Sequence, residues 1–174
     1  DDKCWMVDNL AITGVSGKPL ILDSTDSDLA PDTSYSLGVS SVFENTTYCN
    51  SLNIATYPNK CGYMYSWRTA AAGNDPGVNA VTDVSICPKN WRLPTKDEFG
   101  TLRTKLSWGS SGALVISSAW RGLYNRVGSY AMYWSASTFP TGDSAYALYF
   151  GISEIRTDYG GGRQYGYAIR CLAR

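Results

Sequence analysis

Histidine is absent from this 174-residue chain, which removes the commonest general base and the commonest metal ligand near neutral pH. Hydrolytic triads built on His are excluded. An excess charge of one sign is lacking too, since fifteen basic and fifteen acidic residues cancel. No net field steers the molecule toward nucleic acid or an anionic membrane, so neither partner is expected. No apolar run approaches the roughly eighteen residues of a membrane-crossing helix. No export signal precedes Cys4-Trp5-Met6, and the chain is expected to be a mature or trimmed ectodomain whose signal or anchor lies outside it. The five cysteines, at positions 4, 49, 61, 87 and 171, contain no close pair of zinc-ligand spacing. Asp23, Asp26, Asp28 and Asp32 are spread through a polar stretch but lack the Gly turn and terminal Glu of a calcium-binding hand. Neither a metal nor a cofactor is expected.

Structural disulfides are the better use of these cysteines, in an oxidising setting outside the cytoplasm. Cys49 and Cys61 bracket a polar loop that a bridge would staple by about 3 kcal/mol. Cys87 and Cys171 would then join the middle of the chain to its last strand. Cys4 is left over, either as a buried thiol or as one paired outside this segment. Asn45-Thr46-Thr47 is a formal glycosylation sequon.

A hydrophobic content of 44% over this length supports one domain, residues 1–174. Cys4 to Ile12 reads as a core strand, and residues 13–60 as a loop-rich insertion of Ser, Thr, Asp, Gly and Pro. Tyr63 to Ala72 begins with strand-like alternation and becomes a short helix ended by Gly73. A clearer helix starts at Lys96 and finishes near Leu106, with Thr95 and Glu98 as a capping box and Phe99, Leu102 and Leu106 on one face. Leu114-Val115-Ile116, Tyr133-Trp134-Ser135, Ala145 to Phe150 and Tyr167 to Arg170 are short strand candidates. Helices first and strands afterwards make an α+β domain: two main helices followed by a twisted antiparallel sheet of short strands. Trp67, Trp91, Trp108 and Trp120 sit in apolar company and are expected in the core.

The filling of residues 120–174 is Tyr, Ser, Gly, Asp and Arg between two regular strand motifs. Tyr offers a large contact area at small rotamer cost and Ser and Gly adapt hydrogen bonds around it, as in antibody paratopes.

Ile86-Cys87-Pro88-Lys89-Asn90-Trp91-Arg92-Leu93-Pro94-Thr95 resembles the Cys-Pro-x-Gly-Trp-x-Leu-Pro signature of the Fibrobacter succinogenes major paralogous domain. Asn90 replaces the usual Gly, and Asn is the next residue type to accept a left-handed backbone. The resemblance continues through Cys4-Trp5-Met6, Tyr65-Ser66-Trp67, Tyr133-Trp134-Ser135-Ala136-Ser137, Ala145-Tyr146-Ala147-Leu148 and Gly166 to Cys171. It implies a C-type-lectin-like fold with paired N- and C-terminal strands, Trp5-Met6-Val7 beside Ala168-Ile169-Arg170, and Cys87 near Cys171. The C-terminal pattern is also similar to the variable region of proteins diversified by retroelements, in which adenine-directed mutagenesis rewrites chosen codons but never to Lys. Lys is absent here after Lys105.

On that resemblance Trp134, Ser135, Ala145, Ala147, Gly166, Ile169 and Cys171 are framework. The ligand-binding candidates between them are Arg126, Ser129, Tyr130, Met132, Phe139, Thr141, Asp143, Tyr146, Tyr149, Ile152, Glu154, Arg156, Asp158, Tyr159, Gln164 and Tyr165. Met132, Phe139 and Ile152 are expected as apolar anchors, and Tyr130, Phe139, Glu154 and Tyr159 as sharers of one exposed face. Arg163 suits either framework or a carboxylate or aromatic ligand. In the strand at 145–150, Ala145, Ala147 and Tyr149 share one side and Tyr146, Leu148 and Phe150 the other. Formylglycine-generating enzymes share this type of core, but their pair of active cysteines has no counterpart here, and catalysis is not expected. The Glu-Pro-Asn and Trp-Asn-Asp triplets of calcium-dependent lectins are also missing. The expectation is a binding module at a cell, pilus or virion surface that holds a protein or glycan ligand on another cell, virus or host. The competing expectation is a structural surface domain with no diversified site.

Overall fold

The computed structural model describes residues 2–6, 9–10, 64–105, 131–151 and 154–174, with short strands at 20–22, 35–37 and 42–43. The elements are β1 (Leu20–Leu22), β2 (Tyr35–Leu37), β3 (Val42–Phe43), β4 (Met64–Tyr65), α1 (Trp67–Ala70), β5 (Trp91–Arg92), α2 (Lys96–Lys105), β6 (Ala131–Thr138), β7 (Ser144–Phe150), β8 (Ile155–Gly162) and β9 (Leu172–Ala173). Antiparallel pairs β1–β2, β3–β4 and β5–β9 accompany a three-stranded antiparallel sheet in the order β6-β7-β8. The domain is therefore of α+β type, but its order differs from the helices-first expectation, because four short strands precede α1. Those strands hold only two or three residues each, too few to stand out as a period in a polar stretch.

The three-stranded sheet is covered on both sides. Every residue of β6 is buried. Met132, Trp134, Ala136, Ala145 and Ala147 meet Trp67, Ile86, Leu93 and Ile169, while Ala131, Tyr133, Leu148 and Phe150 meet Phe99 and Leu102 of α2. The pairs Met132–Tyr149, Tyr133–Leu148 and Trp134–Ala147 place like faces together. Strand alternation is present, but apolar residues fill both of its phases, as in a sheet with two buried faces.

α2 begins as a capping box requires. The Glu98 N–H donates to Thr95 Oγ1 at 3.2 Å and the Thr95 N–H donates to Glu98 Oε2 at 2.9 Å, satisfying two donors that helix geometry leaves open. α1 is capped by Ser66, whose Oγ accepts from the Thr69 N–H at 3.2 Å. It ends sooner than the alanine run suggests, since Ala72 and Gly73 take φ values of 48° and 77°. Ala70 and Ala71 are fully buried, and the Ala70 carbonyl accepts from the Ile86 N–H at 3.1 Å.

The chain's two ends pair, but in a different register from that expected. The Ala173 N–H donates to the Cys4 carbonyl, the Met6 N–H to Cys171 and the Leu10 N–H to Ile169, at 3.0, 3.0 and 2.9 Å. Trp5 therefore lies opposite Leu172, not beside Ala168. This register stacks Trp5 on Phe99 at 5.8 Å and brings Asn9 Oδ1 to the buried Arg170 Nε at 2.8 Å. Both interactions would be lost in the other alignment. β5 flanks the other edge of β9, with Arg92 opposite Leu172. Cys87 and Cys171 form a disulfide across a Cα separation of 5.9 Å. Cys49 and Cys61 lie outside the described residues, as do Leu114-Val115-Ile116, Trp108 and Trp120. Cys4 is exposed, not the buried thiol that was one of its two expected states.

Glu98 also ties the amino-terminal segment to the signature loop. Its carboxylate accepts a fork from Arg92 at 2.7 and 2.6 Å and one bond from Lys3 at 2.6 Å. Burial pushes this carboxyl up, yet the Arg92, Lys3 and Thr95 hydrogen bonds outweigh it and hold the pKa at about 2, below the ordinary 4.5. A carboxyl lowered in the folded state stabilises the fold above its unfolded value and loses that contribution as pH falls toward its folded value. The window is thus pH 4.5 down to 2. The full shift would correspond to about 3 kcal/mol, and solvent around the partly exposed Lys3 and Arg92 reduces this to about 1–2 kcal/mol. Glu98→Gln is expected to flatten the acid limb of the stability curve in that window by this amount, read from urea midpoints at successive pH values.

Candidate functional site

The described candidates lie on β6 (Met132), on the β6–β7 hairpin tip, on β7 (Tyr146, Tyr149), on β8, and on the turns before and after β8. β8 is the edge of its sheet and was not expected as a strand, because its Arg-Thr-Asp-Tyr-Gly-Gly-Gly sequence carries no apolar alternation. Its glycines are required by neighbours. A Cβ on Gly160 would meet the Phe139 ring at 2.7 Å, and one on Gly161 the Tyr167 ring at 2.6 Å. Tyr167 is in turn packed on Trp134 at 4.1 Å, so it cannot yield.

Sheet register separates the aromatic candidates into two groups. Tyr146 pairs with Gly160 on the α2 side, where its ring meets Phe139 at 4.3 Å and the Lys96 ammonium at 4.3 Å. Tyr149 and Tyr159 lie on the opposite side, half-buried against the Trp134 cluster and stacked on each other at 5.6 Å. Tyr165, 46% exposed, extends this second group through Tyr167 at 6.5 Å. Phe139 and Tyr159 therefore do not share a face, contrary to expectation, because Gly160 and Tyr159 are successive residues of one strand. Met132 is corrected as well. It is 4% exposed and belongs to the core, since β6 starts at Ala131 and takes in what read as loop.

Thr141, Asp143, Glu154, Arg156, Asp158, Gln164 and Tyr165 are exposed. Arg156 Nε donates to Asp158 Oδ1 at 3.2 Å, and this guanidinium holds the Asp158 carboxyl below its usual value. Arg126, Ser129, Tyr130 and Ile152 lie outside the described residues. A strip of tyrosines therefore runs along one side of β8, flanked by charged and amide side chains that can accept or donate.

Arg163, ambiguous in the sequence, is 3% exposed and held by the protein itself. It donates to Asp75 Oδ1 at 2.7 Å and to the Gly77 carbonyl at 2.8 Å, and its guanidinium lies over the Trp67 ring at 4.7 Å. Asp143 is 3.5 Å from its Nε. The Gly77 N–H, and then Arg163, hold the Asp75 carboxyl below its ordinary value. Arg163 thus pins the end of β8 and the hairpin tip to the 75–77 loop. Sequence reasoning passed over Lys96 and Tyr167, which touch the two aromatic groups. Their contacts depend on strand register, which composition does not carry.

Among the described residues no three His, Cys, Asp or Glu side chains are grouped to hold a metal ion, and no helix is long and apolar enough to cross a membrane. Compared with known proteins, residues 1–122 match the family model described as the Fibrobacter succinogenes major domain. Neither a curated protein nor a solved structure matches the chain.

Proposed function

The chain belongs to the Fibrobacter succinogenes major domain family, and from that membership and the tyrosine strip we propose that it is a surface-displayed binding module of C-type-lectin-like fold. Its variable C-terminal region recognises a protein or glycan ligand. The observation that carries the reading is the stacked, half-exposed Tyr149–Tyr159 pair with exposed Tyr165 on the same side. Rigid aromatic area beside adaptable polar groups is what recognition surfaces use. Three further features support it: paired ends, a disulfide suited to an oxidising compartment, and a buried framework at Trp134, Ala145, Ala147, Ile169 and Cys171. The strip is narrower than the sequence-derived set, which mixed both sides of the sheet. Retroelement diversification is part of the proposal.

Sequencing the coding region across genomic copies and isolates tests it. Substitutions are expected to concentrate at Tyr149, Glu154, Arg156, Asp158, Tyr159, Gln164 and Tyr165, to spare the framework, and to match adenines in a near-repeat beside a reverse transcriptase gene. Variation spread evenly over framework and strip, with no such repeat, would favour the structural surface domain.

A further inference from the structure

Tyr149 and Tyr159 are half-buried and held from below by the Trp134 cluster, and their rings are parallel to within 18° at a centroid distance of 5.6 Å. At that distance parallel rings are offset, so the two form a stepped platform in which each keeps part of a face uncovered. The Tyr149 ring also leans over the turn that follows β7. A Cβ on Gly151 would meet its Cε1 and Oη at 2.8 Å, so glycine at 151 is what lets the ring lie there.

The register of β8 adds a guanidinium to the same side. Tyr149 pairs with Arg156 and Ala147 with Tyr159, which is two steps along β7 against three along β8. The extra residue is a bulge. In an unbroken strand Arg156 and Tyr159 would face opposite sides, and the bulge brings both to the side of Tyr149. Arg156 Nε is fixed by Asp158 Oδ1 at 3.2 Å, whereas its two terminal amino groups make no hydrogen bond to the described residues. An oriented donor pair and an acceptor therefore stand beside the platform, and their charges cancel.

Resting on the reading of the strip as a recognition surface, we propose that its ligand is a neutral saccharide, with one pyranose stacked on the Tyr149–Tyr159 platform and its hydroxyls held by Arg156 and Asp158. Pyranoses of β-gluco and β-galacto configuration gather C–H bonds on one face, and the negative face of an aromatic ring attracts them. Their hydroxyls both donate and accept, so they replace water at the guanidinium and at the carboxylate group by group. An apolar protein patch laid on the same rings would strip water from that charged pair without replacing it, and interface cores are depleted of charge for this reason.

Titration NMR and affinity electrophoresis of the full chain with neutral β-linked gluco- and galacto-oligosaccharides test the proposal. Binding is expected with a dissociation constant of about 1 mM or tighter. Tyr159→Ala is expected to weaken it at least about tenfold and Tyr159→Phe by less than about threefold. Arg156→Ala, at an exposed position, is expected to weaken it at least about fivefold with an unchanged melting temperature. Gly151→Ala, which keeps both rings but displaces one, is expected to weaken it as well. No binding to either oligosaccharide, or binding indifferent to both Tyr159→Ala and Arg156→Ala, overturns the saccharide. A strip that varies among genomic copies, binds a purified protein and binds neither oligosaccharide leaves the recognition surface standing and overturns the saccharide alone. Saccharide binding lost in Tyr159→Ala, with variation spread evenly over framework and strip, upholds the saccharide and overturns diversification.

Discussion

Replacing Cys87 and Cys171 together by alanine is expected to lower the unfolding free energy by about 4 kcal/mol, near the upper end for a single bridge. The two residues are 84 positions apart, and the chain-entropy cost of closing a loop of that size at 25 °C is about 4.5 kcal/mol. Both residues are fully buried, between the signature loop and the segment that hydrogen-bonds to Met6. Losing the bridge therefore releases the last strand and the amino-terminal segment together. Against a typical stability of about 5–15 kcal/mol, the doubly substituted chain should unfold at a much lower urea midpoint. Reductant should cost the unmodified chain more stability than it costs the doubly substituted one, the difference being the contribution of this bridge. A midpoint within error of the unmodified chain's would mean that the bridge contributes nothing to the fold.

Trp134→Ala is the second large effect, expected to cost about 4 kcal/mol. The indole is fully buried, its ring packs on Tyr167, and its Nε1–H donates to the Tyr65 carbonyl at 2.7 Å. Truncation opens a cavity and removes one of two donors to the Tyr65 carbonyl, which keeps the Tyr167 N–H at 3.0 Å, so the cavity carries most of the penalty. Trp134→Phe retains most of the area and should cost less. Thermal and urea unfolding of the two variants separates the contributions. A loss below about 1 kcal/mol for Trp134→Ala would show that the core closes over the gap.

What could be read in the sequence was local. The capping box at Thr95 and Glu98 announced α2 because both halves of the motif lie within one turn. The left-handed Asn90, φ 66°, was foreseen from the Gly it replaces in the signature. Pairing of the chain ends was legible through the family resemblance, but its register was not, because it depends on Asn9 meeting Arg170, a contact 161 residues apart. β8 escaped notice because its side chains are chosen by the rings above them and not by a period. The candidate site was half legible for the same reason. Composition marked Tyr149, Tyr159 and Tyr165 as contact residues, but only pairing with β7 shows which side each takes, and only the start of β6 shows that Met132 is core.

The glycines of β8 bear on how such a surface can drift. Two of the three are fixed by a specific ring, Gly160 by Phe139 and Gly161 by Tyr167, while Gly162 faces only the Gln164 side chain, so the first two are slots and not slack in the chain. Inheritance at these positions should therefore be coupled. A smaller residue at 139 frees position 160 to gain a methyl group, whereas position 161 stays locked as long as Tyr167 leans on Trp134. Among descendants of this chain, residues 139 and 160 would change as a pair and residue 161 would hardly change at all.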